Sequence, residues 1–470
     1  MKIWINKKFK DDISKEYKDA IIFNMLEENN KSNLKSDIEK LWDAFGNDNL
    51  PSINEDLLII SISVFTADKK ISRAKTNDAW TRQIELNIPV IEYDKWINVR
   101  EKLEKLLGFL SGDKWNIHFR KTEYTYRYHT INKKLEILQK DKEKIDYVSL
   151  YSGGLDSFCG AIKLLQQGKN TVFVGFREYG HLENRQNQIF KILEKHYPSV
   201  YKKLLVFYGM PRCPQDCNGE NVNISNENTS RSRSFMFLAG GLAVASQISK
   251  NIPVVIPENG FIGINVPLTP SRKGSCSTRT THPYFIRKLN ELLEQVNIHN
   301  KVINIYANST KGEIVDELKD LSAFKEGYDI TISCSHPCQA RINGKTIPMN
   351  CGYCYPCIIR RASLHNANVE DNSYDYNNAV SMTFLNQFPE YTSRASDLRA
   401  VLSSVYSFKS SSSTEIENLI IQTGPLEMDE IKVANRVYIK TMEEIISLLK
   451  NEGIKNGEEI LEYVGLNNEK

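Results

Sequence analysis

The sequence predicts an α/β protein in which a parallel β-sheet carries helices on both faces. Between residues 146 and 305, short apolar runs alternate with longer amphipathic runs, as in repeated βα units. The string YSGGLDSFC at 151–159 joins one strand to a helix through two glycines, and five of the nine cysteines fall between 334 and 357. These observations predict three domains: an α+β N-terminal domain at 1–140, the α/β domain at 141–366 and a helical C-terminal extension at 367–470.

Composition is that of a globular protein with room for several domains. Of the 470 residues, 41% are hydrophobic and 25% are charged. The net charge of +3 gives no overall preference for nucleic acid. No apolar run is long enough to cross a bilayer, and the residues after Met1 lack the apolar core of a signal peptide. We therefore expect a cytoplasmic protein without a membrane partner, whose cysteines serve metal binding or catalysis.

The middle domain reads as an ordered series of strands and helices. Strands are predicted at 146–150, 171–176, 203–208, 253–256 and 302–305. Helices are predicted at 156–167, 182–195, 231–249, 282–296 and 309–321. Ligands of such a sheet bind at the carboxyl ends of its strands, and we expect the asparagine-rich segment 218–229 to form a mobile loop over that edge.

The flanking domains carry weaker signals. Hydrophobic patterns predict N-terminal strands at 57–65, 84–90 and 115–119, and a helix at 94–111. This domain is interpreted as a partner-binding unit or a cap over the active site. In the extension, a serine-rich stretch at 407–414 predicts a linker, and 426–450 predicts a helix with an apolar stripe.

Three aspartates of the N-terminal domain, Asp68, Asp78 and Asp113, lie beside the strand-like runs. Such carboxylates could serve a metal-dependent nuclease. We interpret them instead as solvated turn residues, because aspartate is common in turns.

The glycine turn supplies the candidate catalytic residues Ser152, Asp156 and Ser157. A strand that passes through Gly153 and Gly154 into a helix leaves unpaired amides where the helix dipole favours an anion. Serine hydroxyls add donors, and Asp156 beside such an anion is interpreted as a Mg²⁺ ligand. The candidate ATP-binding residues are Tyr151, Ser152, Gly153, Gly154, Leu155, Asp156 and Ser157. No Walker A pattern occurs in the chain.

The clustered cysteines predict a structural Zn²⁺ site within a module at 331–361. Four thiolates suit a tetrahedral ion, and closing a loop around it adds folding free energy. An iron–sulfur cluster is the alternative, since the same spacing occurs in cluster proteins. Cys338 and His336 compete with Cys334 for the fourth ligand position. The preferred ligands are Cys334, Cys351, Cys354 and Cys357.

The motifs also resemble those of a known family. S-G-G-x-D-S after a strand resembles the pyrophosphate-binding loop of the ATP pyrophosphatase (PP-loop) superfamily. Together with C…C-x2-C-x2-C, it makes residues 145–366 similar to 7-cyano-7-deazaguanine synthases, the QueC family. Further matches lie at 176–183, 233–243, 331–334 and 351–354, whereas 257–283 differs from the family's substrate-reading stretch. The extra domains resemble the plan of QueC-like proteins of anti-phage cassettes, the QatC proteins of the Qat system.

The resemblance implies a PP-loop (adenine nucleotide α-hydrolase-like) fold and an ATP-dependent C–N ligase. Such an enzyme adenylates a carboxylate, here 7-carboxy-7-deazaguanine, releases pyrophosphate and passes the acyl group to nitrogen. The nitrogen is ammonia in the synthase, and a partner protein's N-terminus is the alternative in a defence cassette. Implied cofactors are ATP, Mg²⁺ and Zn²⁺, and implied partners are a deazapurine and other cassette proteins. Implied contacts are Arg233 for ATP and, for the substrate, Arg177, Tyr179, Arg279 and His282.

A second hypothesis is a tRNA-modifying PP-loop enzyme. In that case Arg360 and Arg361, just after the last cysteine, would contact RNA. The sequence has no extended basic stripe with interleaved aromatic residues, so nucleic acid is not indicated.

Overall fold

The computed structural model describes residues 1–8, 18–26, 32–46, 49–126, 136–227, 230–269, 279–389 and 394–466. These residues form eleven strands. The strands are β1 Lys2–Lys8, β2 Ile21–Leu26, β3 Leu34–Ser36, β4 Gln83–Val90, β5 Lys114–Lys121, β6 Tyr147–Leu150, β7 Thr171–Phe176, β8 Lys202–Phe207, β9 Gly209–Pro211, β10 Val254–Val255 and β11 Val302–Ile303.

The described residues also form seventeen α-helices. The first nine are α1 Lys40–Asp43, α2 Ser52–Lys70, α3 Tyr93–Ser111, α4 Gln139–Lys142, α5 Leu155–Gln166, α6 Gly180–His196, α7 Arg233–Ile248, α8 Gly260–Ile264 and α9 Pro283–Gln295. The others are α10 Lys311–Leu318, α11 Ser322–Gly327, α12 Tyr355–Asn366, α13 Met382–Asn386, α14 Ser396–Ser410, α15 Ser413–Ile421, α16 Met428–Asn456 and α17 Glu459–Tyr463.

The middle of the chain folds around a five-stranded sheet of order β11-β10-β6-β7-β8, and every pair is parallel. The chain starts in the centre at β6, moves outward through β7 and β8, and returns to the other side for β10 and β11. This reversal places a crevice at the carboxyl end of β6, which is where open α/β sheets bind ligands. The predicted α/β fold with a parallel sheet flanked by helices is confirmed; its assignment as a PP-loop fold stays a prediction.

A second parallel sheet, of order β2-β1-β4-β5, forms in the N-terminal part. The predicted strands at 84–90 and 115–119 and the helix at 94–111 are present as β4, β5 and α3. The predicted strand at 57–65 is wrong, because these residues lie within α2. Every residue from 57 to 65 is buried, since α2 packs against both β4 and α7. In a segment that is buried on all sides, the spacing of hydrophobic residues does not distinguish a helix from a strand.

The N-terminal sheet and the middle sheet share one hydrophobic core. Strand β3 pairs antiparallel with β9 from the middle of the chain, and α2 packs along α7. Asp68 strengthens this junction, because its Oδ2 accepts hydrogen bonds from Arg231 N at 2.7 Å and Ser232 N at 2.8 Å, just before α7. The two regions are thus joined by backbone pairing, apolar packing and a helix cap.

Asp68 and Asp113 are buried, so the interpretation of these residues as solvated turn residues is wrong; only Asp78 is an exposed turn residue. Asp68 pairs with Arg82 at 2.5 Å, and Asp113 pairs with Arg73 at 2.7 Å and Arg82 at 2.6 Å. Burial opposes ionisation of Asp113, but the two guanidinium groups prevail and hold its pKa below the usual range. The carboxylates are therefore neutralised by arginines.

The C-terminal extension is helical, as predicted. Its longest helix, α16, packs against α8, α12 and α14. The predicted linker at 407–414 is wrong. Helix α14 runs to Ser410, and the Ser412 hydroxyl accepts from Glu415 N in a capping box that starts α15. Serines therefore act here as helix caps. Among the described residues, no helix has the length and apolar character needed to span a membrane.

Candidate functional site

The glycine turn between β6 and α5 presents three successive amides to three hydroxyl groups. Gly153 N donates to Ser157 Oγ, Gly154 N donates to Ser152 Oγ and Leu155 N donates to Ser333 Oγ, each at 3.2 Å. Gly153 adopts φ +85°, which favours glycine. These amides precede the first complete turn of α5, so they have no helical acceptor. The hydroxyls occupy positions that the oxygens of a bound oxyanion would take.

Gln186 supports the turn from behind, and it was not predicted. Its side chain is fully buried, and Nε2 donates to the carbonyls of Tyr151 at 3.1 Å and Ser152 at 3.3 Å. Tyr151 itself is buried among Phe173 and Phe190. The tyrosine thus contributes its backbone to the turn, while its ring belongs to the core.

Asp156 is buried and already has a cationic partner. Lys311 Nζ lies 3.1 Å from its Oδ1, and Asn259 Nδ2 donates to its Oδ2 at 2.7 Å. Burial would raise the pKa of Asp156, but Lys311 and the hydrogen bonds to the carboxylate lower it below the usual range. Because Lys311 stands where a metal cation would bind, this arrangement does not fit a Mg²⁺ ion on Asp156. The predicted Mg²⁺ role therefore finds no support here.

Three helix N-termini meet at Asp156. Asp156 lies in the first turn of α5, Asn259 is the N-cap residue of α8, and Lys311 is the first residue of α10. The amide dipoles at these ends favour negative charge, so they help to keep the carboxylate ionised. Asn259 and Lys311 are far from the glycine turn in sequence and were missed because neither belongs to a local motif.

Glu258 adds a second carboxyl group to this cluster. Asn259 Nδ2 donates to Glu258 Oε1 at 3.3 Å as well as to Asp156. Burial and the neighbouring Asp156 charge raise the pKa of Glu258 well above its usual range. Glu258 and Asp156 thus share one amide donor and do not ionise independently; Glu258 is half-buried.

The structure brings the four predicted metal ligands together. Their sulfurs all lie within 4.8 Å of one another. The Cys334–Cys354 and Cys351–Cys357 sulfurs are 3.8 and 4.0 Å apart. Tetrahedral Zn–S bonds of about 2.3 Å require sulfur separations of about 3.8 Å, so this geometry suits one ion such as zinc. Backbone amides of His336 and Cys351 donate to Cys334 Sγ, and such bonds orient thiolate ligands.

The competing fourth ligands stay outside the cluster. Cys338 and His336 are both exposed, and neither belongs to the group of converging sulfurs. Cys334 is therefore the residue that completes the set. A cluster of several irons is disfavoured, because the four sulfurs converge on one point.

The metal module touches the glycine turn directly. Ile332 N donates to Gly153 O at 3.0 Å, and Ser333 contributes the third hydroxyl described above. Asn350, next to Cys351, accepts from Ser333 N at 2.9 Å through Oδ1 and donates to Thr331 O at 3.0 Å. The turn and the metal module thus form one hydrogen-bonded assembly.

The residues predicted to contact ATP and the substrate outside the glycine turn lie in two separate regions of the structure. Arg177, Tyr179 and Arg233 lie at the carboxyl end of β7 and at the starts of α6 and α7, where Arg177 pairs with Glu183 and Arg233 with Glu178. Burial, and then the charges of Cys338 and Glu178, raise the pKa of Tyr179. All three are partly exposed or exposed on the open edge of the sheet.

Arg279 and His282 lie elsewhere. Arg279 stacks over the Phe109 ring at 5.0 Å. His282 is buried, accepts from Tyr284 N as the cap of α9 and hydrogen bonds to Thr423. Burial lowers the pKa of His282 to about 3, so the ring is neutral at pH 7. Among the described residues, no contact joins either side chain to the glycine turn, and their predicted substrate role is not supported by position.

Arg360 and Arg361 are buried, so the predicted RNA contacts are wrong. Arg360 pairs with Asp371 at 2.8 Å and donates to Thr331. Arg361 donates to two backbone carbonyls and lies 3.9 Å over the Tyr374 ring. Both guanidinium groups hold the metal module to the rest of the fold.

A cavity of about 250 Å³ lies beyond Asn259, at the carboxyl ends of β10 and β11. Small and aliphatic residues of α8 and α16 form its walls, and Asp429 and Glu430 stand at its edge. Gly260 is needed there, because an added Cβ would lie 2.2 Å from Ala307 O. Gly260 lines the cavity, and its neighbour Asn259 hydrogen bonds to Asp156, so these two residues link the cavity to the glycine turn.

No family model matches the chain, and no curated protein does. What the site can do follows from the chemistry and geometry of its own residues.

A titratable residue of α16 connects the C-terminal extension to the site. Glu444 is buried, its Oε1 accepts from Thr310 Oγ1 at 2.5 Å, and Thr310 caps the helix that carries Lys311. Burial raises the pKa of Glu444 from 4.5 to about 7. Its contribution to stability is therefore complete below pH 4.5 and is lost as the pH rises towards 7, by at most about 3 kcal/mol.

We expect Glu444→Gln to remove this pH dependence. The variant should resemble the wild type at pH 4.5 and exceed its unfolding free energy at pH 8, because the wild type must then bury an ionised carboxylate. Urea unfolding between pH 4.5 and 8 measures the difference. Glu443→Gln, on the exposed side of the same helix, is the control. Parallel curves for Glu444→Gln and wild type would contradict the assignment.

Proposed function

We propose that the protein is an ATP-dependent ligase that adenylates a carboxylate at the glycine turn and transfers the acyl group to a nitrogen nucleophile. One observation carries the proposal: amides 153, 154 and 155 converge with three hydroxyls at the carboxyl end of the central strand β6. A phosphate oxygen can replace a hydroxyl as the acceptor of such amides, and the displaced hydroxyl can then rotate to donate.

In this proposal the turn binds the phosphates that leave as pyrophosphate. A carboxylate oxygen of the substrate attacks the α-phosphorus, and the bond between that phosphorus and the bridging oxygen to the β-phosphate breaks. Negative charge grows on the departing group, where the amides and the dipole of α5 stabilise it. Lys311, 3.1 Å from Asp156, neutralises that carboxylate behind the turn, so that it does not repel the departing group. The nitrogen then attacks the acyl carbon, releases a proton and displaces AMP.

The choice of acid rests on the resemblance of residues 145–366 to the QueC family, which favours 7-carboxy-7-deazaguanine. Resemblance to the QatC proteins of the Qat anti-phage system favours a partner protein's N-terminus as nucleophile, with ammonia as the alternative. The N-terminal sheet and the C-terminal helices support a protein acceptor, because they add surface around the sheet without adding a further motif. Burial of Arg360 and Arg361 removes the contacts on which the tRNA hypothesis depended.

Ser152→Ala tests the turn with little risk to the fold. Ser152 is exposed, and its hydroxyl hydrogen bonds to Ser157 Oγ and Gly154 N of the same turn. We expect the purified protein, given ATP, Mg²⁺ and the deazaguanine acid, to form AMP and pyrophosphate. Ser152→Ala should lower this rate by about 100–1,000-fold, the usual effect of removing one donor to a developing anion. Separation of the nucleotide products by chromatography measures it.

Ser335→Ala, an exposed serine beside the metal module, is the control and should keep the wild-type rate. Formation of ADP in place of AMP would contradict adenylation. The mass of the product distinguishes the acceptors, because a nitrile or amide indicates ammonia and a covalent protein adduct indicates a protein nucleophile.

A further inference from the structure

Three consecutive residues join the metal module to the glycine turn. Ile332 N donates to Gly153 O at 3.0 Å, and Ser333 Oγ accepts from Leu155 N at 3.2 Å. Cys334, the next residue, supplies one of the four converging sulfurs. A change in the position of Cys334 must therefore reach the turn through a chain segment only two residues long.

The second arm of the module fixes the same segment. Asn350 holds Ser333 N and Thr331 O through its side chain, and it immediately precedes Cys351. Cys351 N in turn donates to Cys334 Sγ at 3.3 Å. The position of Ser333 is thus set from both sides, by its neighbour Cys334 and by Asn350, which precedes Cys351.

The two parts lie close together. The space beside Gly154 would just hold a Cβ, which would lie 3.4 Å from Ile332 O and 3.7 Å from Ser333 Oγ. Closely packed groups transmit displacement rather than absorb it. The amides of the turn can therefore keep their direction only while segment 331–334 stays in place.

We propose that the metal centre controls the affinity of the glycine turn for its anionic ligand, with Ser333 as the positioning residue that couples them. The inference rests on the proposed function, because it takes the ligand to be a nucleotide phosphate or pyrophosphate. Without the metal, only single hydrogen bonds such as that from Cys351 N to Cys334 Sγ hold the two arms together, so segment 331–334 is held less firmly and the turn's contacts with Ile332 and Ser333 weaken. Ordering the turn again then opposes ligand binding.

Coupling between two sites is reciprocal, so a bound ligand must retain the metal by the same factor. We expect saturating pyrophosphate or ATP to raise the affinity of the protein for zinc, and so to reduce zinc loss to a competing chelator, by roughly 5–100-fold. Zinc transfer to a chromogenic chelator, with and without saturating pyrophosphate, measures this without reference to catalysis. Calorimetric titration of the same zinc-loaded protein gives the ligand affinity.

Variants at position 333 test the coupling residue. Ser333→Ala should keep about one zinc per chain but lose the protection by pyrophosphate, whereas Ser333→Thr, which keeps the hydroxyl, should restore it. Ser335→Ala, on the other side of Cys334, should behave like the wild type. Zinc loss from Ser333→Ala without added chelator would overturn the coupling role in favour of a structural one.

The two proposals fail differently. If the wild type binds neither ATP nor pyrophosphate in the titration, the proposed function fails. If it binds them while zinc retention stays unchanged, the coupling is overturned and the proposed function stands.

Discussion

Replacing Cys357 by alanine should remove the bound metal and destabilise the C-terminal half of the protein more than any surface substitution. Cys357 is fully buried in the first turn of α12, and α12 packs against α10, α14 and α16. A metal held by the four sulfurs would close the loop between Cys334 and Cys351, and its binding energy would then be folding energy. We expect a loss of more than about 4 kcal/mol in unfolding free energy.

Metal content and urea unfolding monitored by circular dichroism check this result. The wild type should contain about one zinc per chain and the variant almost none. Cys338→Ala, an exposed cysteine of the same module, should change neither quantity. Equal stability of Cys357→Ala and wild type would contradict a structural metal, and visible absorption by the wild type would indicate iron instead of zinc.

Asp68→Ala should be the most damaging substitution in the N-terminal part. Its carboxylate pairs with Arg82 at 2.5 Å and caps α7 through Arg231 N and Ser232 N. Removing it leaves Arg82, which is almost fully buried, with only one carboxylate partner and takes the acceptor from the start of α7. Breaking a buried ion pair in this way costs about 3–5 kcal/mol.

The lower unfolding free energy of Asp68→Ala should appear as a lower urea midpoint. Protease sensitivity near the junction of α2 and α7 should rise. Asp78→Ala is the matched control, because Asp78 is exposed and only closes the turn that precedes Trp80. If both variants unfold at the same urea concentration, the Asp68 network does not hold the two regions together.

Most of the middle domain could be predicted because each element carries its own signal. Strand β7 spans the predicted residues 171–176, and its neighbours β6 and β8 lie within a residue of prediction. Short apolar strands next to amphipathic helices leave few arrangements other than a parallel sheet. The strand predicted at 57–65 was wrong because this part of α2 is buried on every side. Its hydrophobic residues therefore do not show the spacing that identifies a helix.

The site was predictable only where its residues are neighbours in sequence. The glycine turn stands out, because the positive φ of Gly153 favours glycine, and the cysteine spacing identifies the candidate metal ligands. Gln186 and Lys311 were missed, since a single glutamine or lysine within a helix does not differ from a solvated one. Asp156 was given a metal partner because a lysine 155 positions away cannot be foreseen from the string around it.

The sequence by itself determined the parallel sheet, the glycine turn at the end of its first strand and the grouping of Cys351, Cys354 and Cys357, because these depend on local periodicity and spacing. Only the tertiary structure decided which distant groups meet there: Lys311 on Asp156, Ser333 on the amide of Leu155, and two buried arginines in place of an RNA surface. Such encounters depend on how whole helices pack, and burial then fixes the charge state of each group.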